Sequence, residues 1–201
     1  MKQSRFRPQL TLPNDVLIGR RVELRPLRPD DFKHWSEVRN ANVDWLTKWE
    51  PTRPAGTPDV INDKNAFASR CTARDRERHL GSGYGFGIFV NGSFSGEINI
   101  SSIQRGPFQN CYVGYWIDQR KAGNSYTPES LVLLLQFAFE ELKLHRVQVA
   151  IIPRNVSSRR VVEKLELRNE GLAQKYLEID GQWEDHMRFA ITSEEWIERA
   201  P

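Results

Sequence analysis

GYWIDQRKAGNSYTPES, residues 114–130, passes from a strand-like run into a helix through a short loop of small, donor-rich residues. Gly123, Asn124 and Ser125 carry turn chemistry, and Thr127-Pro128 reads as a cap followed by proline, the favoured order where a helix starts. Backbone N–H groups at such a start have no partner within the helix and point outward with partial positive charge. A preceding loop of small residues lets a phosphate approach them. Here Arg120 and Lys121 add charge, and Gly123 presents no Cβ. Two readings are open at this point, an ordinary strand-to-helix connection or an anion site. The spacing is not that of a Walker loop, because no Gly-Lys-Ser/Thr follows, and it is not G-x-G-x-x-G.

Downstream, PESLVLLLQFAFEEL (128–142) is apolar almost all round, which predicts a helix buried between layers. HRVQVAIIP (145–153) reads as a strand, after which Asn155 caps a helix carrying Val161, Val162 and Leu165. KYLEIDGQWEDHMRFAI (175–191) reads as a hairpin turning at Asp180-Gly181. Upstream, NCYVGYWID (110–118) is a strand, and YGFGIFVNGSFSGEINISSI (84–103) is a hairpin whose Asn91-Gly92 pair suits a type I′ turn. RRVELRPL (20–27) alternates Val22 and Leu24 with charge, the pattern of a half-buried strand. The stretch 28–49 places Phe32, Trp35 and Val38 on one helical side, with Asp30 or Asp31 as its cap. After the break EPTRPAGTP (50–58), residues 59–80 form a polar amphipathic helix expected to lie over the surface. The order is strand, helices, three antiparallel strands, helix, strand, helix, two strands. That is an α/β chain with a mixed sheet of about seven strands, not a doubly wound parallel one.

The chain has 201 residues, two cysteines forty positions apart and four scattered histidines, which suggests neither a disulfide framework nor a metal site. Its net charge of +3 is spread among acidic residues, so no nucleic-acid footprint is expected. No stretch approaches the roughly 20 apolar residues of a membrane span, and nothing at the N-terminus resembles a signal peptide. A cytoplasmic protein follows as the expectation, with residues 1–15 as an N-terminal extension and 16–201 as a single domain.

Four stretches together carry a resemblance: RRVELRPLRPDDF, GYWIDQRKAGNSYTPES, PRNVSSRRVVEKLELRNEG and YLEIDGQWEDHMRFA, spanning roughly residues 16–192. The chain resembles the GCN5-related N-acetyltransferase (GNAT) superfamily and, within it, the ribosomal-protein N-acetyltransferase group of the RimJ/RimL type. That resemblance implies a GNAT fold with helices on both sheet faces, in which the fourth and fifth strands splay to form the acetyl-CoA site. The Arg120-x-x-Gly123-x-Ser125 loop would cradle the pyrophosphate, so Arg120, Lys121, Ala122, Gly123, Asn124, Ser125 and Tyr126 are implied cofactor contacts. Trp116, Ile117 and Asp118 would meet the pantetheine arm mainly through main-chain groups, while Arg159 and Arg160 would meet the phosphates or simply face water. Asn155 would hydrogen-bond the arm, and Ser158 would pass a proton to the thiolate, although both also suit plain helix-cap positions. Ser125 stands where the family has Gly or Ala, and Glu166 where it usually has Gly. A tyrosine that many relatives place a few residues after Ser158 has no counterpart here.

Acetyl transfer to an amine needs a neutral nucleophile, an aligned thioester, an oxyanion donor and a proton for the thiolate. Glu97, between apolar neighbours in SGEINI, is the candidate general base through water, against the plainer reading of a Glu on a strand's solvent face. An α-amine, with a pKa of about 7.7–8.0, demands less of a base than lysine at about 10.4. The resemblance therefore implies direct transfer from acetyl-CoA, without metal, to a protein N-terminus such as that of a ribosomal protein. The alternatives are a small-molecule amine acetyltransferase or a catalytically degenerate CoA- or protein-binding module. Either a monomer or a homodimer is compatible with the family.

Overall fold

A computed structural model describes residues 16–52 and 54–199, so the expected extension 1–15 lies outside the described residues. Eight strands form one sheet in the order β1-β2-β3-β4-β5-β6-β8-β7. They are β1 (Leu17–Ile18), β2 (Val22–Arg25), β3 (Tyr84–Val90), β4 (Ser93–Gln104), β5 (Asn110–Ile117), β6 (Arg146–Ile151), β7 (Arg168–Ile179) and β8 (Gln182–Thr192). Six α-helices accompany them: α1 (Phe32–Ala41), α2 (Val43–Leu46), α3 (Lys64–His79), α4 (Tyr126–Gln136), α5 (Val156–Lys164) and α6 (Ser193–Glu198). Every strand pair is antiparallel except β5 with β6. The mixed sheet expected from the sequence is present, with one strand more. The extra strand is β1, two residues long, too short to leave a pattern.

The sheet is covered on both faces. On one, α4 supplies Leu131, Leu134 and Leu135 and α5 supplies Val162 to a core with Leu24, Ile88, Ile98 and Val147. On the other, Trp35 of α1 and Phe67 and Cys71 of α3 pack with Phe89 and Phe94. This double cover explains why β3 is buried on both faces from Phe86 onward. Helix α3 is therefore not a surface strap: Phe67 is fully buried and Cys71 nearly so. Asp63 caps it, accepting from the N–H groups of Asn65 (2.7 Å) and Ala66 (3.2 Å).

Both hairpins turn where expected, at Asn91-Gly92 (φ 51° and 75°) and Asp180-Gly181 (φ 47° and 78°), the left-handed pairs of a type I′ turn. Two cap assignments are corrected. Asp31 does not cap α1 through its side chain, because its carboxylate is taken by Arg25 and by the Arg28 N–H (2.7 Å) across a 3₁₀ turn at Pro29–Asp31. Helix α4 starts at Tyr126, with Ser125 rather than Thr127 at its N-cap. Pro128 still falls in the first turn, where a missing N–H costs nothing.

Candidate active site

The parallel pair β5–β6 is joined only over Asn110–Tyr112 and Arg146–Gln148. Beyond Tyr112 the strands part. From Val113 to Ile117, β5 keeps β4 on one side and, among the described residues, has no strand on the other, and Gly114 is exposed in mid-strand. A cleft of about 470 Å³ enters this gap, lined by Gly114, Tyr115, Trp116 and Ile117. It continues to the N-terminal end of α4, along Lys121, Ala122, Gly123, Ser125, Tyr126, Thr127 and Pro128. Helix α5 forms the opposite wall.

Short-range chemistry holds the loop in place. Asp118, 3% exposed, accepts from the Arg120 N–H (3.1 Å) and guanidinium (2.6 Å) and from Asn42 Nδ2 (3.1 Å). Burial alone would push its carboxyl up, but these donors outweigh burial and hold it below the usual carboxylate range. Asn42, also buried, accepts from the Gln119 N–H (2.8 Å), tying the end of α1 to the start of the loop. Gly123 sits at φ 80°, and a Cβ there would meet nothing within 4 Å, so the conformation rather than protein crowding calls for glycine. At the loop's exit Arg21 donates to the Asn124 carbonyl (3.1 Å) and pairs with Glu129 (2.9 Å).

The cleft gathers most of the residues implied by the resemblance: Trp116, Ile117, Lys121, Ala122, Gly123, Ser125, Tyr126, Asn155 and Ser158 all line it. Asn155 is also the expected cap, its Oδ1 accepting from the Ser158 N–H (3.1 Å). Four residues are placed elsewhere. Asp118 and Arg120 are turned onto each other, and both line a separate hollow beside His34 and Phe94. Asn124 donates to the loop's own carbonyls of Lys121 and Ala122 (both 3.2 Å). Arg159 donates to the Pro153 carbonyl and Glu163 (both 3.2 Å), away from the cleft.

Arg160, one of two arginines the sequence offered to the phosphates, lines the cleft, and lining residues that escaped the sequence reading include Lys164, Tyr115, Trp45, Trp49 and Glu50. A signal existed for Lys164. Ser157, Arg160, Val161 and Lys164 lie at helical spacing on one face of α5, opposite Arg159. Lys164 crosses the cleft mouth to donate to Ser125 Oγ (3.1 Å). The Tyr115 hydroxyl donates to the Ser158 carbonyl (2.9 Å), and burial pushes its pKa up. The segment around α2 offered no signal, because its position depends on the distant β7–β8 hairpin. The Asp180 N–H donates to the Glu50 carbonyl (3.2 Å), and the Gly181 N–H to Thr52 Oγ1 (2.7 Å).

Across the sheet lies a second hollow of about 800 Å³, bounded by Trp35, Arg70, Arg74, Glu97, Tyr112 and Tyr176 among others. Glu97 is not on a solvent face. Trp35 Nε1 donates to one of its oxygens (2.6 Å) and Arg70 to the other. The two hollows share Glu50, Asn99, Gly114 and Trp116. The two hollows thus approach each other where β5 leaves β6, a place termed the port below. Cys71 and Cys111 are buried, which pushes their thiols up to about 11 and about 12, unsuited to act as nucleophiles near neutral pH.

Residues 21–168 match the Acetyltransferase (GNAT) domain family. The chain is 32% identical over 178 residues to the probable N-acetyltransferase YjcK of Bacillus subtilis, covering 88% of this chain and 96% of that one. It is 30% identical over 197 residues to the Escherichia coli [ribosomal protein uS5]-alanine N-acetyltransferase, covering 94% of each. Among solved structures, Mycobacterium smegmatis RimJ in complex with CoA-disulfide superposes with a TM-score of 0.82 at 34% identity, over 90% of this chain and 85% of that one. The chain belongs to the GNAT family of N-acetyltransferases.

Proposed function

We propose that this acetyltransferase moves the acetyl group of acetyl-CoA directly onto the α-amine of a protein N-terminus, a ribosomal protein in the first instance. The observation that carries the reading is the gap between β5 and β6 beyond Tyr112, which opens a cleft from the mid-sheet port to the N-terminus of α4. The residues present suit the cofactor. Lys121, Arg160 and Lys164 place three cations around the loop end, against one carboxylate, Glu50, near the port. That distribution matches a molecule with a phosphorylated end and a neutral arm.

Acetyl-CoA, when bound, supplies the acetyl group as a thioester. The chain's residues do the rest in named places. The loop from Lys121 to Tyr126 receives the pyrophosphate, while the unpaired edge of β5 at Gly114–Ile117 offers main-chain groups to the arm and to the thioester oxygen. Asn155 fixes the first turn of α5, and the Ser158 hydroxyl is assigned to protonate the departing sulfur. Glu97, bound by Trp35 and Arg70, is a wall of the acceptor hollow. Buried cysteines support direct transfer over an acetylated enzyme. The relative named for alanine acetylation of uS5 supports the acceptor class, and a cytoplasmic reaction is part of the same proposal.

Calorimetric titration with acetyl-CoA and desulfo-CoA, beside a Gly123→Glu variant, tests the cleft. Micromolar binding that the variant loses is expected, followed by turnover of N-terminal peptides in preference to spermidine. A folded protein that binds neither ligand overturns the reading.

A further inference from the structure

Of the four residues common to both hollows, Asn99, Gly114 and Trp116 are uncharged and Glu50 alone is ionisable. Its carboxylate stands where the nucleophile must meet the thioester if the proposed function is correct, and this inference rests on that reading. Glu50 is held from two directions. Arg39 on α1, its side chain only 7% exposed, donates to both of its oxygens at 2.6 and 2.9 Å and lies over the Trp116 ring. The main chain beside it is pinned to the β7–β8 hairpin through Glu50 with Asp180, the Thr52 N–H to the Glu178 carbonyl (3.4 Å), and Pro51 bridging Ile179. Glu50 keeps 32% of its side chain exposed, against 13% for Glu97.

We infer that Glu50 is the residue that recognises the acceptor's amine. Each carboxylate oxygen carries a further lone pair after accepting from Arg39. Those remaining sites accept N–H hydrogen bonds from a primary amine in either protonation state, and the ion's charge favours the ammonium over a neutral group of the same shape. Arg39 keeps the carboxylate turned to the port, so the amine is presented at the gap in β5 and not elsewhere in a hollow of about 800 Å³. Glu97 lines the second hollow only, and its two oxygens are held by donors on two different helices. The substrate class that follows is a primary amine at the end of a chain long enough to occupy the hollow across the sheet.

The test is binding rather than turnover. Protein saturated with CoA is titrated with an alanine-initiated hexapeptide and with the same peptide bearing a hydroxyl in place of its α-amine. Wild type should prefer the amine by about tenfold or more, the scale of a hydrogen bond to a charged group. In Glu50→Gln the two affinities should converge, while CoA affinity stays within about threefold. Because Glu50→Gln leaves Arg39 without its counter-ion, Glu50→Asp is the companion variant. It keeps the charge and should restore part of the preference. An amine preference that survives in a folded Glu50→Gln protein, or that vanishes in Glu97→Gln instead, overturns the assignment. A wild type that neither binds CoA nor acetylates peptides overturns the reading beneath it, a result these arms separate from failure of Glu50 alone.

Discussion

Ser125 and Glu166, the two positions where the resemblance implies glycine or alanine, are both left-handed, at φ 63° and 53°. Each ends or begins a helix. Glu166 is the left-handed residue of a Schellman turn closing α5, with the Leu167 N–H returning to the Val162 carbonyl (3.0 Å) and the Glu166 N–H to Glu163 (3.0 Å). At such a φ a Cβ costs about 1–2 kcal/mol, and a β-branched side chain more. Ser125→Gly should therefore match or exceed wild-type stability by up to about 1 kcal/mol, while Ser125→Val loses about 1–2 kcal/mol; urea unfolding of the pair checks this. Asp118 makes a second prediction at this scale. Its carboxyl is held below the ordinary value of about 3.9, so its contribution is complete above that value and disappears as pH falls through the lower folded one. Asp118→Asn should cost about 1–3 kcal/mol at pH 7, and the gap to wild type should close only below about pH 4.

At the scale of the element, β5 is a strand with two different edges. Against β4 it is so close at Gly96 that a Cβ there would lie 2.3 Å from the Trp116 carbonyl oxygen. On the other edge Gly114 faces the gap, where a Cβ would meet only Asn99 Oδ1, at 3.1 Å. The two glycines should answer substitution in opposite ways. Gly96→Ala forces the strands apart and should cost at least about 1–3 kcal/mol in unfolding experiments. Gly114→Val should alter stability by less than about 1 kcal/mol, yet lower kcat/KM for the acceptor peptide at least about tenfold by filling the port. Equal loss of stability in both would contradict this account of β5.

Across the whole molecule, charge is sorted by hollow rather than by net balance. The cleft at the start of α4 holds Lys121, Arg160 and Lys164, whereas the hollow across the sheet mixes Arg70 and Arg74 with Glu97 and Asp75. Salt screens exposed cations over about 10 Å at 0.1 M and about 3 Å at 1 M. Raising salt over that range should weaken acetyl-CoA binding severalfold, and Lys164→Met should both weaken it and flatten its salt dependence. Unchanged affinity across the range would remove the cationic rim from the binding account.

Periodicity, turn pairs and caps are local properties, and from them the sequence determined the element order, the turns of both hairpins, the buried α4, the Asn155 cap and the loop at Lys121–Tyr126. The family resemblance of four stretches added the acetyltransferase reading. What the chain alone left undecided were choices made by partners far away in sequence. Arg159 and Arg160 are neighbours in sequence, and only the packing of Val162 against the core turned one away from the cleft and the other into it. Arg120 reads as a phosphate ligand until the buried Asp118 claims its guanidinium. Glu97 reads as a solvent-facing carboxylate until Trp35 and Arg70 close over it from α1 and α3. Glu50, in a Pro/Gly-rich break, carried no signal at all. It becomes the charged residue at the port because Arg39 and the β7–β8 hairpin, some 130 residues downstream, hold it there. Local physics wrote the elements, and the tertiary structure decided which side chains face each other across them.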